Sequence, residues 1–564
     1  MTAPHVEFNI AALHEAIATA VPDRECIVFR DRRLSWAEVT DRTRRLAAVL
    51  AAHGLGVRRE ADTTAPWECP QDTVALYLHN GNEYLEGMLG AYKARTAPFN
   101  VNYRYVAEEL SYLLRDARPG AVLFHASFAP TIAEVLGDLD ETPLLLQVDD
   151  GSGTALLPGA LAYETALASA DPDLDPDLVA SWSPDDRYVL YTGGTTGMPK
   201  GVLWRQGDFL PAALAFRRRD GEEFPSVAEV VETALTGARL RALPAAPFMH
   251  GAAHWNALSA WLAGGTIVVQ DHPHHLDPAD VFATCEREQV TSLLIVGDAF
   301  ARPLVDELRR RPYDLGTLRF LLTGGAILSA STKAEILDLL PGVTIVDILG
   351  SSESGRQGVT STSASSGEGS TTGRFAPTGT AAIVSEDLTQ VLDADDHREG
   401  WLAQRGRVPL GYLGDPDKSA ATFPTIDGER YAVPGDRARY GEDGLIELYG
   451  RESVTINSGG EKIFAEEVEH AVKSHPQVFD AVVVGRPSER WGQEVVALVR
   501  LRDGASVDDD ELLEACGHHI ARYKLPKAIL RLDHIERSPS GKADYRWATR
   551  VATGAPTSAE GSNP

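Results

Sequence analysis

Residues 191–201 read Tyr191-Thr192-Gly193-Gly194-Thr195-Thr196-Gly197-Met198-Pro199-Lys200-Gly201, a loop of hydroxyls and glycines that ends on one lysine. Glycines let backbone N–H groups approach a triphosphate closely. Threonine hydroxyls donate to its oxygens or help hold a magnesium ion, and the lysine adds positive charge. The loop therefore suits the phosphates of ATP, although a Gly/Thr-rich hairpin turn has the same composition. A Walker loop needs Gly-Lys-Ser/Thr at the start of a helix. Here Pro199 precedes Lys200, Gly201 follows it, and Val202-Leu203-Trp204 resumes a strand-like run.

Around this loop, helical patterns such as Ser35–Ala52 and Ala107–Asp116 alternate with short apolar runs such as Thr73–Leu78 and Ala121–Phe124. That alternation predicts α/β layers. The 564 residues exceed what one core usually supports, so several subdomains are expected. The segments Arg58–Pro70 and Arg217–Gly237 read as polar insertions and Gly358–Gly373 as an irregular Ser/Thr/Gly-rich loop. Thr553–Pro564 reads as a disordered tail, and Asp508–Arg522 as an amphipathic helix with Cys516 on its apolar face.

Composition narrows the function. With 53 Lys+Arg against 81 Asp+Glu the formal net charge is -28, which disfavours nonspecific binding to nucleic acid or anionic membranes. Polyanionic ligands must then meet locally basic pockets. Cys26, Cys69, Cys285 and Cys516 have neither metal-ligand spacing nor a disulfide framework, which fits a reducing cytoplasm. No secretion signal and no apolar run near the roughly 20 residues of a membrane span is expected. The cluster Asp271-His272-Pro273-His274-His275 has metal-ligand residue types, but adjacent histidines in a Pro-bearing loop rarely converge on one ion.

Four more segments carry chemistry. Ile348-Leu349-Gly350-Ser351-Ser352-Glu353-Ser354-Gly355 follows an apolar strand with a carboxylate, and Glu353 is suited to magnesium, a hard cation that takes oxygen ligands. In Leu321-Leu322-Thr323-Gly324-Gly325-Ala326 a strand runs into a small-residue corner open to a flat base. Arg430–Asp436 precedes a hairpin over Arg437–Tyr449, turned at Glu442-Asp443-Gly444. Near the C-terminus stands Arg537-Ser538-Pro539-Ser540-Gly541-Lys542. A glutamate in a loop, a turn-forming Gly-Gly pair and a surface Asp, Arg or Lys are each ordinary taken singly.

Taken together and in this order, the segments resemble the adenylate-forming (AMP-binding) superfamily over nearly the whole chain, from about Phe8 to Trp547. The resemblance implies an α/β fold: a large N-terminal domain of mixed sheets layered with helices over 1–450, a hinge at 451–454, and a small mobile α+β C-terminal domain over 455–548. A disordered tail over 549–564 would follow. It implies an AMP-forming acyl-CoA synthetase with ATP, Mg2+ and coenzyme A. The ATP-binding set carried over is Thr192, Gly193, Gly194, Thr195, Thr196, Gly197, Lys200, Gly324, Gly325, Ala326, Asp347, Gly350, Ser351 and Ser352, with Asp436 and Arg451 on the ribose. Glu353 and Thr195 are implied for the metal, and Gly459 and Gly460 for passage of pantetheine. Lys542 is implied as the mobile lysine of adenylation, and His250 as the gate between the acid and thiol tunnels.

His250, Trp255 and Gly324 would border the acid pocket. Small residues Gly251, Ala252 and Ala253 leave room there for a bulky apolar acid, and no aspartate is present to pair with an α-amino group. The motif versions look like those of actinobacterial fatty-acid CoA ligases, including ones acting on steroid side-chain acids. Five positions depart from the family pattern: Ser352 replaces the usual Thr, Leu349 an aromatic residue, Ser453 the hinge Asp or Lys, Val454 a polar or basic residue, and Asn457 the lysine of luciferases. No Ser-bearing carrier domain follows, so free coenzyme A is the expected acceptor. The alternatives are an acyl-adenylate ligase that delivers to a separate carrier protein and a catalytically silent adenylate-binding sensor. A homo-oligomer is compatible with the sequence.

Overall fold

The computed structural model describes residues 6–192, 198–365, 373–451, 454–458, 461–488, 491–520, 522–538 and 541–554. Among them, the largest sheet contains a parallel block. Strands Thr344–Ser351, Phe320–Gly324, Ser292–Ile295, Arg241–Pro244, Thr266–Val269 and Glu25–Phe29 lie side by side in that order. Their cores are continuous apolar runs such as Ile267-Val268-Val269, as expected of strands covered by helices on both faces. A second parallel sheet is built from Thr73–Tyr77, Ala97–Asn100, Ala121–His125, Leu144–Val148 and Leu161–Ala162. The strands Arg187–Thr192 and Lys200–Arg205 form an antiparallel hairpin with Gly411–Tyr412 on its edge.

The C-terminal domain is small and separately cored. Strands Thr455–Ser458, Glu461–Phe464, Val478–Ser488, Gly492–Leu501 and Ala528–Arg531 form one sheet. Helices Ala465–Lys473 and Asp509–Gly517 bury Val468, Val472, Leu512 and Cys516 against one face, while Tyr545–Thr553 buries Ala548 and Ala552 against the other.

Many elements follow the sequence reading. Trp36–Ala52 begins at a capping box in which Ser35 and Glu38 satisfy each other's backbone N–H groups. Asp436–Tyr440 and Ile446–Arg451 pair as the expected hairpin, with Gly444 at φ 74°.

Four expectations are corrected. Within Arg217–Gly237, Val227–Thr236 is a helix: Ser226 caps it, and Val230 and Ala234, four apart, are buried. Within Gly358–Gly373 the first residues belong to the strand Gly355–Ser363, whose Ser/Thr composition is compatible with a ladder beside Thr344–Ser351; residues 366–372 lie outside the described set. The helix expected over Asp508–Arg522 stops at Gly517, and a short 3-10 turn, Arg522–Lys524, follows. The final helix reaches Thr553, past the 549 boundary of the expected tail, because it buries Ala552 and ends on Gly554 in a left-handed cap.

Candidate active site

Two neighbouring parallel strands, Phe320–Gly324 and Thr344–Ser351, end at one cavity of about 350 Å³. This is the carboxyl edge of the sheet, where open α/β folds collect ligands. Its wall includes Gly325, Ala326, Asp347, Leu349, Gly350, Asp436 and Lys542. Gly325 has φ 77°, and a side chain there would meet Lys542 Cε at 3.7 Å. At Gly350 the ladder slips by a bulge, and a Cβ would stand 2.2 Å from the Gly355 carbonyl oxygen, so only glycine fits without a backbone shift. Leu349 shares the wall with Phe375 and Tyr449, which keeps it apolar at the departure from the family pattern. Asp347 is paired with the buried Lys333 at 2.9 Å; burial raises its carboxyl and Lys333 opposes that rise.

The hairpin that carries the opening motif is tied to the glutamate turn. Thr192 pairs with Lys200 across the hairpin, and Gly193, Gly194, Thr195, Thr196 and Gly197 lie outside the described residues. Lys200 forms an ion pair with Asp415 and stands 6.0 Å from the Tyr412 ring centroid. The Tyr412 hydroxyl donates to Glu353 Oε1 at 3.1 Å. From the same hairpin, Trp204 Nε1 donates to the Ser352 carbonyl at 3.0 Å. Ser351 Oγ lies 2.9 Å from Ser354 Oγ, which donates to Gln357 Oε1 at 2.8 Å, so the turn before and after Glu353 is fixed from within.

The His250 loop is held by two asparagines. Asn80 donates to the Ala246 carbonyl and accepts from the Phe248 N–H at 2.6 Å. Asn100 donates to the carbonyls of Tyr191 and Met249 and accepts from the Tyr191 N–H at 2.8 Å, which ties the opening motif to His250. His250 occupies the N-cap position of helix Gly251–Leu262 without a side-chain capping bond. Burial, aided by the charges of Lys542, His254 and Arg104, pushes its imidazole down to about 3.

One turn on, a hydrogen-bond chain fixes Trp255. His254 Nδ1 lies 2.7 Å from the Phe248 carbonyl, an acceptor only, so Nδ1 carries the proton and Nε2 accepts from the Tyr188 hydroxyl. The Tyr188 oxygen in turn accepts from Trp255 Nε1 at 2.6 Å. Trp255 is locked rather than swinging in a roomy pocket, and a Cβ on Gly251 would lie 3.4 Å from its ring.

Lys542 is carried by a braced turn of the small domain. Arg537 grips Asp480 with two 2.7 Å bonds, from Nε to Oδ2 and from Nη2 to Oδ1, and its Nη1 donates to the Gly541 carbonyl at 2.9 Å. Arg451 pairs through its backbone with Asp436, so the two ribose candidates are cross-strand neighbours. Gly459 and Gly460 lie outside the described residues.

Of the residues singled out in the sequence, Gly325, Ala326, Asp347, Gly350, Asp436 and Lys542 thus meet on one cavity, while Gly324 lies beneath it with Ile348 O 3.0 Å from its would-be Cβ. Lys200 and Glu353 meet at Tyr412, with Thr192 paired to Lys200 and Ser351 and Ser352 leading into Glu353, while His250 and Trp255 form a third group on the helix Gly251–Leu262 and its N-terminal end. Sequence reasoning missed Tyr412, Asn80, Asn100, Asp480 and Arg537. The available signals were Tyr412 between glycines in Gly411-Tyr412-Leu413-Gly414 and Arg537 at the head of the Lys542 segment, whereas Asn80, Asn100 and Asp480 lie far off in sequence from the residues they hold.

The class of protein follows from family comparison. Residues 14–413 match the model of the AMP-binding enzyme family and residues 467–542 that of the AMP-binding enzyme C-terminal domain. The chain belongs to this family. It is 50% identical over 546 residues to the medium-chain acyl-CoA ligase Mig of Mycobacterium avium, covering 97% of this chain and 98% of that protein. It is 38% identical to the 3-oxocholest-4-en-26-oate–CoA ligase of Rhodococcus rhodochrous, over 96% and 95% of the two chains. Among solved structures, the anthranilate CoA ligase AuaEII in complex with anthranoyl-AMP superposes with a TM-score of 0.79 at 20% identity, over 97% of this chain and 98% of that one. ATP-bound MatB from Rhodopseudomonas palustris gives 0.75 at 23%, over 95% and 98%. These two likenesses establish the fold.

Proposed function

We propose that the protein is an ATP-dependent acid–thiol ligase that converts an apolar carboxylic acid, a fatty acid or a steroid side-chain acid, into its coenzyme A thioester. In the first step an acid oxygen attacks the α-phosphorus of ATP and the bond to pyrophosphate breaks, leaving an acyl adenylate. In the second the thiol sulfur of coenzyme A attacks the acyl carbon and AMP departs with the bonding electrons. The substrate class rests on full-length relatives whose names specify medium-chain acyl groups and 3-oxocholest-4-en-26-oate.

One observation carries the assignment of the site: Lys542, from the small domain, has its Cε beside Gly325, at the mouth of the cavity bordered by Asp436 and Gly350. An ammonium held there neutralises charge that gathers on the phosphates in the first transition state. Asp436, acceptor-only when ionised, suits a ribose diol, and Arg451 stands across the strand from it. His250 stays neutral near pH 7, so it leaves the negative acid unpaired and serves as a flat, uncharged gate. Residues 451–454 act as the hinge between a body over 1–450 and a lid over 455–548, and rotation there exchanges Lys542 for the coenzyme A path along Gly459 and Gly460.

The donors present fit magnesium. Glu353 offers carboxylate oxygens, one of which accepts the Tyr412 O–H; Thr195, a hydroxyl that the sequence offers to the metal, lies outside the described residues. A magnesium ion bound by Glu353 and Thr195 would offset phosphate charge during adenylation.

The test is a panel of fatty, aromatic and 3-oxo steroid acids with ATP and magnesium, read as pyrophosphate release and by mass detection of the thioester. Release that depends on the acid, and thioester that depends on coenzyme A, are expected for apolar acids. Absence of release with every acid would overturn the proposal in favour of an adenylate-binding sensor.

A further inference from the structure

Between the two domains lies a contact that none of the motifs includes. Arg302 sits on helix Gly297–Arg310 of the large domain and is 4% exposed. Its guanidinium reaches across to the small domain: Nη1 donates to the carbonyls of Val478 and Phe479, and Nη2 to the carbonyl of Lys473 at 3.4 Å. On its own helix, Asp298 lies 3.6 Å away and balances the charge. Lys473 ends the helix Ala465–Lys473, where carbonyls lack intrahelical partners and the dipole is negative, so a cation belongs there.

The residues Arg302 grips are adjacent to those that hold the lysine turn. Val478 and Phe479 open the strand Val478–Ser488, and the next residue is Asp480, the bidentate partner of Arg537. Arg537 fastens the Gly541 carbonyl, one residue before Lys542. Hydrogen bonds joined by single steps along the backbone, from Phe479 to Asp480 and from Gly541 to Lys542, thus connect the large-domain helix through Arg537 to the side chain beside Gly325. At the rim, Arg502 approaches Asp306 at 3.5 Å and Glu335 at 3.6 Å.

We propose that Arg302 is a positioning residue that latches the small domain in the adenylation pose, and so sets where Lys542 enters, without touching substrate. The proposal rests on the ligase reading above for its kinetic consequence only. Planar guanidinium geometry serves several carbonyls at once, which an ammonium does less well. Rotation about the hinge breaks these bonds, so their loss penalises the first half-reaction and leaves the second alone.

The test uses the full-length protein with Arg302→Met, which keeps the aliphatic stem, and with Arg502→Ala, a surface change that leaves the core intact. Pyrophosphate exchange with an acid that the wild type accepts should fall at least about tenfold in Arg302→Met and about twofold to fivefold in Arg502→Ala. Thioester formation from supplied acyl adenylate and coenzyme A should stay within about twofold of wild type. Independently of activity, hydrogen exchange in the free protein should speed up in Arg302→Met over residues 478–480 and 541–543. Equal loss in both half-reactions, or no loss in either, overturns the latch, as does unchanged exchange at those amides. If the wild type activates no acid while the exchange still quickens, the latch stands and the ligase reading falls.

Discussion

Lys542 illustrates how one residue can be legible in role and illegible in place. Its type and its Ser/Pro/Gly setting would pass for a loop charge, and its motif alone marked it. Its reach to Gly325 depends on Asp480, which no local pattern links to Arg537. Removing one preorganised charge at a developing anion typically costs about 10²–10³ in rate. Lys542→Ala should therefore lower pyrophosphate exchange by about that factor, with ATP affinity and transfer from supplied acyl adenylate much less affected. Parallel loss of both half-reactions would remove Lys542 from the adenylation step. Tyr412 marks the opposite case, since its O–H bond to Glu353 spans distant loops and only a Gly-Tyr-Leu-Gly spacing hinted at it.

At the level of elements, strands and helices with a clean period were readable, whereas function sits where the period breaks. The helix Ala465–Lys473 and the hairpin after Pro434 are given by apolar spacing and turn residues. Val227–Thr236 was hidden because it sits inside a stretch whose flanks are polar and because only Val230 and Ala234 of its apolar residues are buried, which leaves no wide apolar face to read. The bulge in Thr344–Ser351 is also invisible to periodicity, yet it lies three residues before Glu353, the acceptor of the Tyr412 hydroxyl. Gly350→Ala would set a methyl 2.2 Å from the Gly355 carbonyl oxygen. A clash against backbone is not relieved by a rotamer change, and overpacking of this kind costs about 1–3 kcal/mol. The urea midpoint should drop accordingly, and adenylation with it. Gly342→Ala, at a turn with nothing within 4 Å of the added carbon, should leave both nearly unchanged. A stable and active Gly350→Ala protein would mean that the bulge is not needed.

On the scale of the whole molecule, the sequence could not show how many histidines fold into dry surroundings, because burial of a polar side chain is decided by distant elements. Burial is the leading cause that pushes His79 and His250 down to about 3 and His125, His254 and His470 down to about 4, from an ordinary value near 6.5. The unfolded chain binds protons at these sites below pH 6.5, whereas the folded chain does not until about pH 4. Stability therefore rises with pH across that window and falls as acid is added, by about 1.4 kcal/mol per pH unit for each such histidine. The lowered carboxylates, such as Glu7 and Asp480, lose their contribution only as pH approaches and passes below the usual carboxylate range, whereas Glu83, which burial pushes up to about 7, opposes the histidines between about pH 7 and 4.5, so the net slope there is that of five histidines less this carboxyl. The melting temperature should be flat from pH 8 to 7 and decline steadily from pH 6.5 to 5. Replacing His254, whose Nε2 accepts from the Tyr188 hydroxyl, with Gln keeps an acceptor there without a titrating ring and should make the decline shallower, with a lower melting temperature at pH 7.5 through lost packing. A melting temperature that does not change between pH 7.5 and 5, or a His254→Gln slope equal to the wild type, would show that these rings are protonated in the fold and that the site, with its uncharged gate at His250, is wetter than its geometry implies.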